Sequence, residues 1–384
     1  MKYDFDEVIP RRGTNCVKWD ETPEKDIIPL WVADMDFRVY PGIISALQKR
    51  VEHGIFGYTH VPESYYESVI NWFANYHQWE GIQPSEIIYT SGVVPAISAI
   101  IRALTLPGDK VLVMTPVFNC FFSSIRNQGC MVVENALRYE NQTYTVDWED
   151  FEKKCADSRV RLFILCNPHN PAGRVWTREE LKRMGEICRK HHVFVVTDEI
   201  HGEVVMPGYH YTPFASVDDF ASFSASCVAP TKGFNIAGLQ IANIIVRDME
   251  KRERIDRAIN IHENCDVNPF GVIATEAAYT EGGQEWLNQM NAYVFENYLF
   301  LKSFLQEQLP QLPVVKLEGT YLAWVDCAAF GGSSKQIAEK LYAHRVWVND
   351  GEMYGDPMNR FIRINLACPR AILAEGLQRM KEGL

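Results

Sequence analysis

The middle of the sequence alternates short β-branched and apolar runs with amphipathic segments of helical period. This alternation constrains the fold most, because strands that alternate with helices build a mostly parallel sheet covered on both faces. Several runs are apolar at consecutive positions, as strands are when both faces are buried. The pattern predicts an α/β fold with strands at Ile87–Thr90, Lys110–Thr115, Met131–Glu134, Arg161–Cys166, Val193–Thr197, Ala221–Ser226 and Ile241–Val246.

Helix signals lie between and beyond these strands. Thr177-Arg178-Glu179-Glu180 is a capping box, and a second one runs from Ser333 to Gln336. A long polar and apolar stretch from Gln284 to Gln308 indicates a helix that connects two domains. The helix that starts after Thr177 is expected to bury one face, formed by Leu181, Met184, Cys188 and His191.

A chain of 384 residues is long enough for two domains. We expect a large domain at residues 49–285 and a small C-terminal α/β domain at residues 286–384. The N-terminal segment, residues 1–48, has weak periodicity and is expected to pack with the small domain. The strands predicted in the small domain are Val314–Leu317, Tyr321–Val325 and Phe361–Asn365.

Composition argues against several classes of protein. Lysine and arginine total 38 against 49 acidic residues, and this net charge of −11 opposes binding to nucleic acid or to an anionic membrane. The N-terminus lacks the apolar region of a secretory signal, and no apolar run reaches the ~18 residues of a membrane span. The ten cysteines show no zinc-like spacing. We therefore expect a cytoplasmic protein with reduced thiols.

The first candidate site follows the strand Ile87–Thr90. In Ser91-Gly92-Val93-Val94-Pro95, glycine permits a tight turn and proline suits the first turn of a helix. Free N–H groups at such a helix start can hold a phosphate. The same kind of turn also joins strands to helices where no phosphate binds, so both interpretations stay open.

Two further polar turns follow apolar strands. In Cys166-Asn167-Pro168-His169-Asn170-Pro171-Ala172-Gly173 the prolines fix the asparagines, which either satisfy the turn or face a ligand at the carboxyl edge of the sheet. Asp198-Glu199-Ile200-His201 places an acid at the end of a buried strand, where it needs a cation, a salt bridge or a helix cap. No second histidine lies at a ligand spacing from His201, which argues against a metal site.

Two cations lie in apolar surroundings. Lys232, in Ala229-Pro230-Thr231-Lys232-Gly233-Phe234-Asn235-Ile236-Ala237-Gly238-Leu239, is expected to be desolvated. Desolvation lowers the pKa of a lysine toward the neutral amine that forms Schiff bases. Arg363 lies inside the strand Phe361–Asn365 and needs an anionic partner, either a protein carboxylate or the carboxylate of a substrate.

Taken in order, these motifs resemble fold-type I pyridoxal-phosphate (PLP) enzymes of the class I/II aminotransferase superfamily. The matching motifs are Asn-Pro-x-Asn-Pro-x-Gly, Asp-Glu-x-His and Thr-Lys-x-Phe-Asn-x-Ala-Gly-Leu. Trp31-Val-Ala-Asp-Met-Asp-Phe37, Phe56-Gly-Tyr-Thr59 and Ser91–Pro95 are similar to the cystathionine β-lyase, or C–S lyase, branch. The resemblance runs from about Val32 to Arg370 and implies a seven-stranded, mostly parallel sheet with a smaller α/β domain.

The resemblance implies a role for each cofactor-binding residue. Lys232 would carry PLP as a Schiff base, and Asp198 would pair with the pyridine nitrogen, which PLP needs to store electrons. Asn170 would hydrogen-bond the ring hydroxyl, with His201 nearby. The phosphate-binding end of the site would be formed by Gly92, Val93, Val94 and Thr231.

The resemblance also implies how a substrate is held. Arg363 would bind the α-carboxylate of an amino acid, helped by backbone amides near Ala33 and Asp34 and by Asn170. Tyr58 would enter the active site of a neighbouring subunit and take part in catalysis there, which implies a homodimer.

Two positions depart from the pattern of the family. The aromatic residue that stacks on the pyridine ring is usually tyrosine in this branch and is Phe118 here, which keeps the aromatic face but loses the phenol. Aminotransferases often place an arginine on the phosphate eight positions after the lysine, and that position is Gln240 here.

The branch motifs favour β-elimination from cystathionine, cysteine or another cysteine S-conjugate. Lys232 would remove the α-proton, a thiolate would leave, and the product would hydrolyse to pyruvate and ammonia. An aminotransferase would share every cofactor residue, so it remains the alternative. A non-catalytic PLP-binding regulator is disfavoured, because nothing before Trp31 is long or basic enough to be a DNA-binding module.

Overall fold

The computed structural model describes residues 2–262, 267–355 and 358–384. Within these ranges the strands form a seven-stranded sheet, a three-stranded sheet and two strand pairs. The strands are β1 Ile28–Pro29, β2 Ile87–Thr90, β3 Lys110–Thr115, β4 Met131–Ala136, β5 Arg138–Glu140, β6 Thr143–Thr145, β7 Val160–Cys166, β8 Phe194–Asp198, β9 Ser224–Val228, β10 Ala242–Ile245, β11 Leu322–Asp326, β12 Val346–Trp347, β13 Asn349–Asp350 and β14 Phe361–Asn365.

The helices cover both faces of the large sheet and build much of the C-terminal part. Among the described residues they are α1 Val17–Asp20, α2 Pro41–His53, α3 Glu63–His77, α4 Val93–Leu104, α5 Cys120–Asn127, α6 Trp148–Cys155, α7 Arg178–Lys190, α8 Met249–Ile259, α9 Pro269–Ala278, α10 Glu281–Gln308, α11 Ser334–Ala343 and α12 Arg370–Gly383. No helix in the described ranges is long and apolar enough to cross a membrane.

The large sheet has the strand order β2-β10-β9-β8-β7-β3-β4. Only β10 runs against its neighbours in these pairings, so the sheet is mostly parallel, and the predicted fold class is confirmed. The seven predicted strands are the seven strands of this sheet. The largest boundary error is at Ala221–Ser226: Phe220–Phe223 form a 3-10 turn, and β9 starts only at Ser224.

Both faces of the central strands are buried, which explains their uninterrupted apolar sequences. In β3, Val111 and Val113 pack into the cluster that contains Ile100 of α4. Leu112 of the same strand packs into the cluster on the opposite face, which contains Met184 of α7. Burial of each such side chain contributes about 1.5–3 kcal/mol, so apolar residues predominate on both faces of this strand.

The N-terminal segment reaches the C-terminal part of the chain. Strand β1 pairs in parallel with β12, with Ile28 opposite Val346. Just after β1, the ring of Trp31 stacks on that of Trp347 at 4.3 Å. The domain limits at 48 and 285 stay a prediction. Helix α10 begins at Glu281, three positions before the expected Gln284.

The prediction of a strand at Val314–Leu317 is wrong. Only an isolated bridge joins Val314 to Val325, and the next two residues donate to different parts of the chain. Val315 N donates to Trp324 O at 2.9 Å, whereas Lys316 N donates to Gln142 O at 2.8 Å. A β-strand pairs with successive residues of one partner strand, so this segment does not form a strand.

The other C-terminal predictions hold with small shifts. The predicted strand Tyr321–Val325 is observed one residue later as β11, and β14 has the predicted bounds. Both capping boxes form, at Thr177 and at Ser333. His191 caps the end of α7 rather than lying within the helix.

Candidate functional site

A cavity of about 240 Å³ lies where several strands of the large sheet end. Strands β2, β7, β8 and β9 all point toward this edge, so the polar turns that follow them meet there. Ten of the residues predicted for the site line the cavity: Ala33, Gly92, Val93, Val94, Phe118, Asn170, Asp198, His201, Thr231 and Lys232.

The N-terminus of α4 forms one end of the cavity. Gly92 is the N-cap residue, and Ala96 N donates to Gly92 O at 3.0 Å to begin the helix. The N–H groups of Val93 and Val94 belong to the first turn and have no partners within the helix. Because these groups and the helix dipole favour negative charge, this end of the cavity suits a phosphate.

Gln240 lines the same cavity and has a left-handed backbone with φ of 51°. It supplies a neutral amide at the position where the family resemblance led us to expect an arginine, so an anion bound here would be held mainly by backbone N–H groups.

Asp198 and Lys232 are the two central ionisable groups. Burial raises the pKa of Asp198 to about 7, although Ile200 N donates to its Oδ1 at 3.2 Å. Burial lowers the pKa of Lys232 to about 8, against the opposing effect of the Asp34 and Asp198 carboxylates. The site therefore holds a carboxylate that lacks a full counter-charge and a lysine that is readily available as a neutral amine.

His201 is buried beside these two groups. Burial lowers the pKa of His201 well below its ordinary value, with Lys232 and Arg363 adding to the effect. The imidazole is therefore neutral, and its ring lies 5.7 Å from that of Tyr321. In the described parts of the chain, no three His, Cys, Asp or Glu side chains form a group that could hold a metal.

Arg363 lies at the edge of the site without lining the cavity. Its Nη1 donates to Asn170 Oδ1 at 3.0 Å and its Nη2 donates to Trp31 O at 2.8 Å. Its guanidinium lies 4.9 Å from the ring of Tyr354. The Nε atom is buried, and no partner for it exists among the described residues. A buried arginine held by neutral groups retains the capacity to bind a carboxylate.

Asp34 and Tyr58 do not line the cavity either. The Asp34 carboxylate lies on the outer side of its loop, 2.7 Å from Arg11 Nη2. Tyr58 lies between α2 and α3, and 96% of its surface is exposed. The sequence prediction assigned Tyr58 to a neighbouring subunit, and its position in this chain leaves that prediction open.

Sequence reasoning missed the residues that support the site from behind. Tyr321 donates its hydroxyl to Ala33 O at 3.0 Å, the same carbonyl that accepts from Lys232 Nζ. Tyr321 could have been found from the sequence, because it begins an otherwise apolar predicted strand and its hydroxyl needs a partner there. Tyr354 under Arg363 and the carbonyl of Trp31 had no such signal, because tertiary packing alone brings them there.

Comparison with known proteins identifies the family of the chain. The family model "Aminotransferase class I and II" matches residues 25–380. Cystathionine beta-lyase PatB of Bacillus subtilis is 42% identical over 99% of both chains.

Two solved structures also match along nearly the whole chain. Cystalysin of Treponema denticola, which contains a pyridoxal 5'-phosphate cofactor, is 36% identical, with a TM-score of 0.96 over 100% of this chain and 99% of its own. A PLP-bound C–S lyase of Staphylococcus hominis is 32% identical, with a TM-score of 0.92 over 99% and 98%. The chain belongs to the class I and II aminotransferase family.

Proposed function

We propose that this chain is a PLP-dependent carbon–sulfur β-lyase. It cleaves cystathionine, cysteine or a related cysteine S-conjugate to pyruvate, ammonia and a thiol. The observation that carries the proposal is the 42% identity with a cystathionine beta-lyase over 99% of both chains. The buried lysine opposite a buried acid supplies the chemical basis.

The cavity fits PLP by the chemistry of its residues. Asp198 is buried without a full counter-charge, as the partner of a pyridine N–H should be before that group binds. Val93 and Val94 would hold the phosphate at the start of α4, with Gly92 and Thr231 beside it. When bound, PLP supplies the electron sink for the carbanion at the substrate Cα.

Three further cavity residues complete the cofactor site. Phe118 lines the cavity and would stack on the ring. Asn170 and His201 would lie beside the ring hydroxyl. His201 would act there as a neutral hydrogen-bonding group, because burial lowers its pKa. None of these roles requires a metal ion.

Lys232 would bind the cofactor and then act as the general base. Burial lowers the pKa of its amine to about 8, so an appreciable fraction is neutral near neutral pH. The freed amine takes the proton from the substrate Cα. Ala33 O, which accepts from Lys232 Nζ, would keep the amine directed at that proton.

Arg363 would bind the substrate α-carboxylate. Its Nε has no partner among the described residues, and its other two nitrogens donate only to the neutral oxygens of Asn170 and Trp31. A carboxylate would provide the missing negative charge, with backbone amides near Ala33 and Asp34 close by. The negatively charged sulfur then leaves from Cβ, and the released aminoacrylate hydrolyses to pyruvate and ammonia.

The second subunit is also part of the proposal. Next to Tyr58, the side chains of Val51, Ile55 and Phe56 are more than half exposed, at 55%, 67% and 54%. Such a group of apolar side chains is typical of a surface that another chain covers. A homodimer would bury it and bring Tyr58 into the neighbouring site, in the cytoplasm where thiols stay reduced.

The decisive experiment measures pyruvate from cystathionine without any added keto acid. The purified, PLP-loaded protein should release pyruvate, and Lys232→Ala should abolish the release together with the visible absorption of the bound cofactor. Lys182→Ala, which removes an exposed lysine on α7, serves as the matched control and should keep both.

An aminotransferase remains the alternative, because the family model carries that description. Amino transfer that requires a keto acid, without pyruvate release from cystathionine, would contradict the lyase proposal and support the transferase. Failure of the protein to bind PLP even after reconstitution would contradict both. Catalytic turnover of either kind would exclude a purely regulatory PLP-binding protein.

A further inference from the structure

The segment Trp31–Asp36, called here the 31–36 loop, directs backbone carbonyls at the working groups of the site. Trp31 O accepts from Arg363 Nη2 at 2.8 Å, and Ala33 O accepts from Lys232 Nζ. Asn365 Nδ2 donates to the two carbonyls on either side of Ala33, to Val32 O at 2.7 Å and to Asp34 O at 2.6 Å. The position of this loop therefore sets the directions of both the lysine and the arginine.

The opposite side of the loop is held by two cations from the N-terminal segment. Lys18 Nζ lies 2.8 Å from Asp36 Oδ2 and 3.6 Å from Asp34 Oδ1. Arg11 contacts the same two acids, at 2.6 Å to Asp36 Oδ1 and 2.7 Å to Asp34 Oδ2. We call these four residues the two-cation clamp.

The clamp is closely bonded and largely buried. Trp19 Nε1 donates to Asp36 Oδ1 at 2.8 Å, and Arg11 also donates to Met35 O at 3.0 Å. Lys18 is fully buried, and burial alone would lower its pKa, but Asp36 and Asp34 raise it above the ordinary value. Lys18 therefore stays charged.

Stability alone does not explain such a cluster. Desolvation of buried ion pairs offsets most of their attraction, and well-packed apolar residues would stabilise the fold about as well. Charged groups with fixed geometry do confine a loop to one position. The clamp contacts the back of the 31–36 loop, and the front of this loop contacts Lys232 and Arg363, so the position of the clamp matches a role in alignment.

We propose that Arg11, Lys18 and Asp36 are positioning residues of the lyase reaction. They hold the 31–36 loop so that Arg363 and Lys232 meet the substrate carboxylate and α-proton in one alignment. This proposal rests on the function proposed above. None of the three residues lines the cavity, so they act through the loop and not by contact with substrate.

Arg11→Gln is the sharpest test, because Arg11 is partly exposed and its loss should leave the chain folded. We expect kcat/KM for cystathionine to fall about tenfold, with both KM and kcat affected, because the loop aligns Arg363 with the carboxylate and Lys232 with the α-proton. The conservative Arg11→Lys should recover part of the loss. Arg38→Gln is the control, because Arg38 pairs with Glu7 at 2.8 Å on an exposed surface.

Hydrogen exchange of the apoprotein provides a readout that needs neither substrate nor cofactor. Asp36 N donates to Ala367 O at 2.9 Å and Met35 N donates to Asn235 Oδ1 at 3.0 Å, so both amides are protected while the loop is held. Arg11→Gln should speed their exchange about tenfold, and Arg38→Gln should not.

Unchanged kcat/KM together with unchanged exchange in Arg11→Gln would overturn the proposal, as would an equal effect of Arg38→Gln. If the parent protein releases no pyruvate, the function proposal fails, while the exchange experiment still tests whether the clamp holds the loop. Faster exchange in Arg11→Gln with kcat/KM unchanged would show that the clamp holds the loop without aligning the reacting groups, which also overturns the positioning role.

Discussion

At the scale of single residues, the site contains ionisable groups whose charged forms are disfavoured by burial. Asp198 is an acid whose pKa burial raises to about 7, and Lys232 is a base whose pKa burial lowers to about 8. Both shifts come from desolvation, so each group is more costly to bury in its charged form. A bound cation next to Asp198 and a covalent partner on Lys232 would remove these costs.

In the apoprotein, the raised pKa of Asp198 should make the free energy of unfolding depend on pH. Below about pH 7 the folded chain keeps the carboxyl proton that an unfolded aspartate loses near about pH 4, so stability falls as pH rises through this window. Asp198→Asn cannot ionise. Its free energy of unfolding, relative to the parent, should increase by about 2 kcal/mol between about pH 5 and about pH 8.

Urea unfolding of both apoproteins at the two pH values measures this difference, and titrating groups that do not interact with Asp198 cancel in the comparison. A difference that stays constant with pH would contradict the assignment of Asp198 as a buried, unpaired acid. In the presence of PLP, Asp198→Asn should instead be less stable than the parent at about pH 8, because the variant lacks the carboxylate that would pair with the pyridine N–H.

At the scale of single elements, helix α7 illustrates how local sequence fixes an end. Thr177 Oγ1 accepts from Glu180 N at 3.1 Å, and Glu180 Oε2 accepts from Thr177 N at 2.9 Å. Glu180 also pairs with Arg174 at 2.9 Å, which ties the helix start to the turn that carries Asn170. The capping box therefore sets where α7 begins, and the Arg174–Glu180 pair anchors that turn beside the helix.

Thr177→Ala should lower the free energy of unfolding by about 1 kcal/mol, because one N–H of the first turn loses its acceptor. Thr177→Ser keeps the hydroxyl and should stay close to the parent. Denaturant unfolding measures both. Because Thr177 is remote from the cavity, KM for cystathionine should stay unchanged, and a large change would contradict this separation of roles.

Elements governed by local chemistry could be predicted from the sequence, and those governed by distant partners could not. The seven strands of the large sheet and both capping boxes carry their own signals in apolar runs and in spacing. Val314–Leu317 has a strand-like sequence, but its N–H groups are taken by separate partners. The sequence indicated Lys232 and Asp198, whereas Lys18 gave no sign that it would be fully buried.

At the scale of the whole molecule, the arrangement of two subunits can be tested by complementation. Lys232→Ala and Tyr58→Ala are each expected to lose activity as separate homodimers. In a mixed dimer, one site would combine intact Lys232 from one chain with intact Tyr58 from the other.

Unfolding and refolding an equal mixture of the two variants should therefore restore about a quarter of the parent activity, since about half of the dimers are mixed and each has one intact site. Sedimentation verifies that dimers form, and co-purification of one variant through an affinity tag on the other verifies that mixed dimers are among them. No recovery in verified mixed dimers would place Tyr58 at its own chain's site, and a monomeric protein would contradict the homodimer.

The hydrogen bond between Arg363 and Trp31 joins residues that are 332 positions apart in the chain. During synthesis on a ribosome, Trp31 emerges long before Arg363, with Lys232 between them. A nascent chain that already contains the lysine and the acid still lacks the arginine that would anchor a substrate carboxylate. The proposed amino-acid site can therefore be complete only after residue 363 has been synthesised.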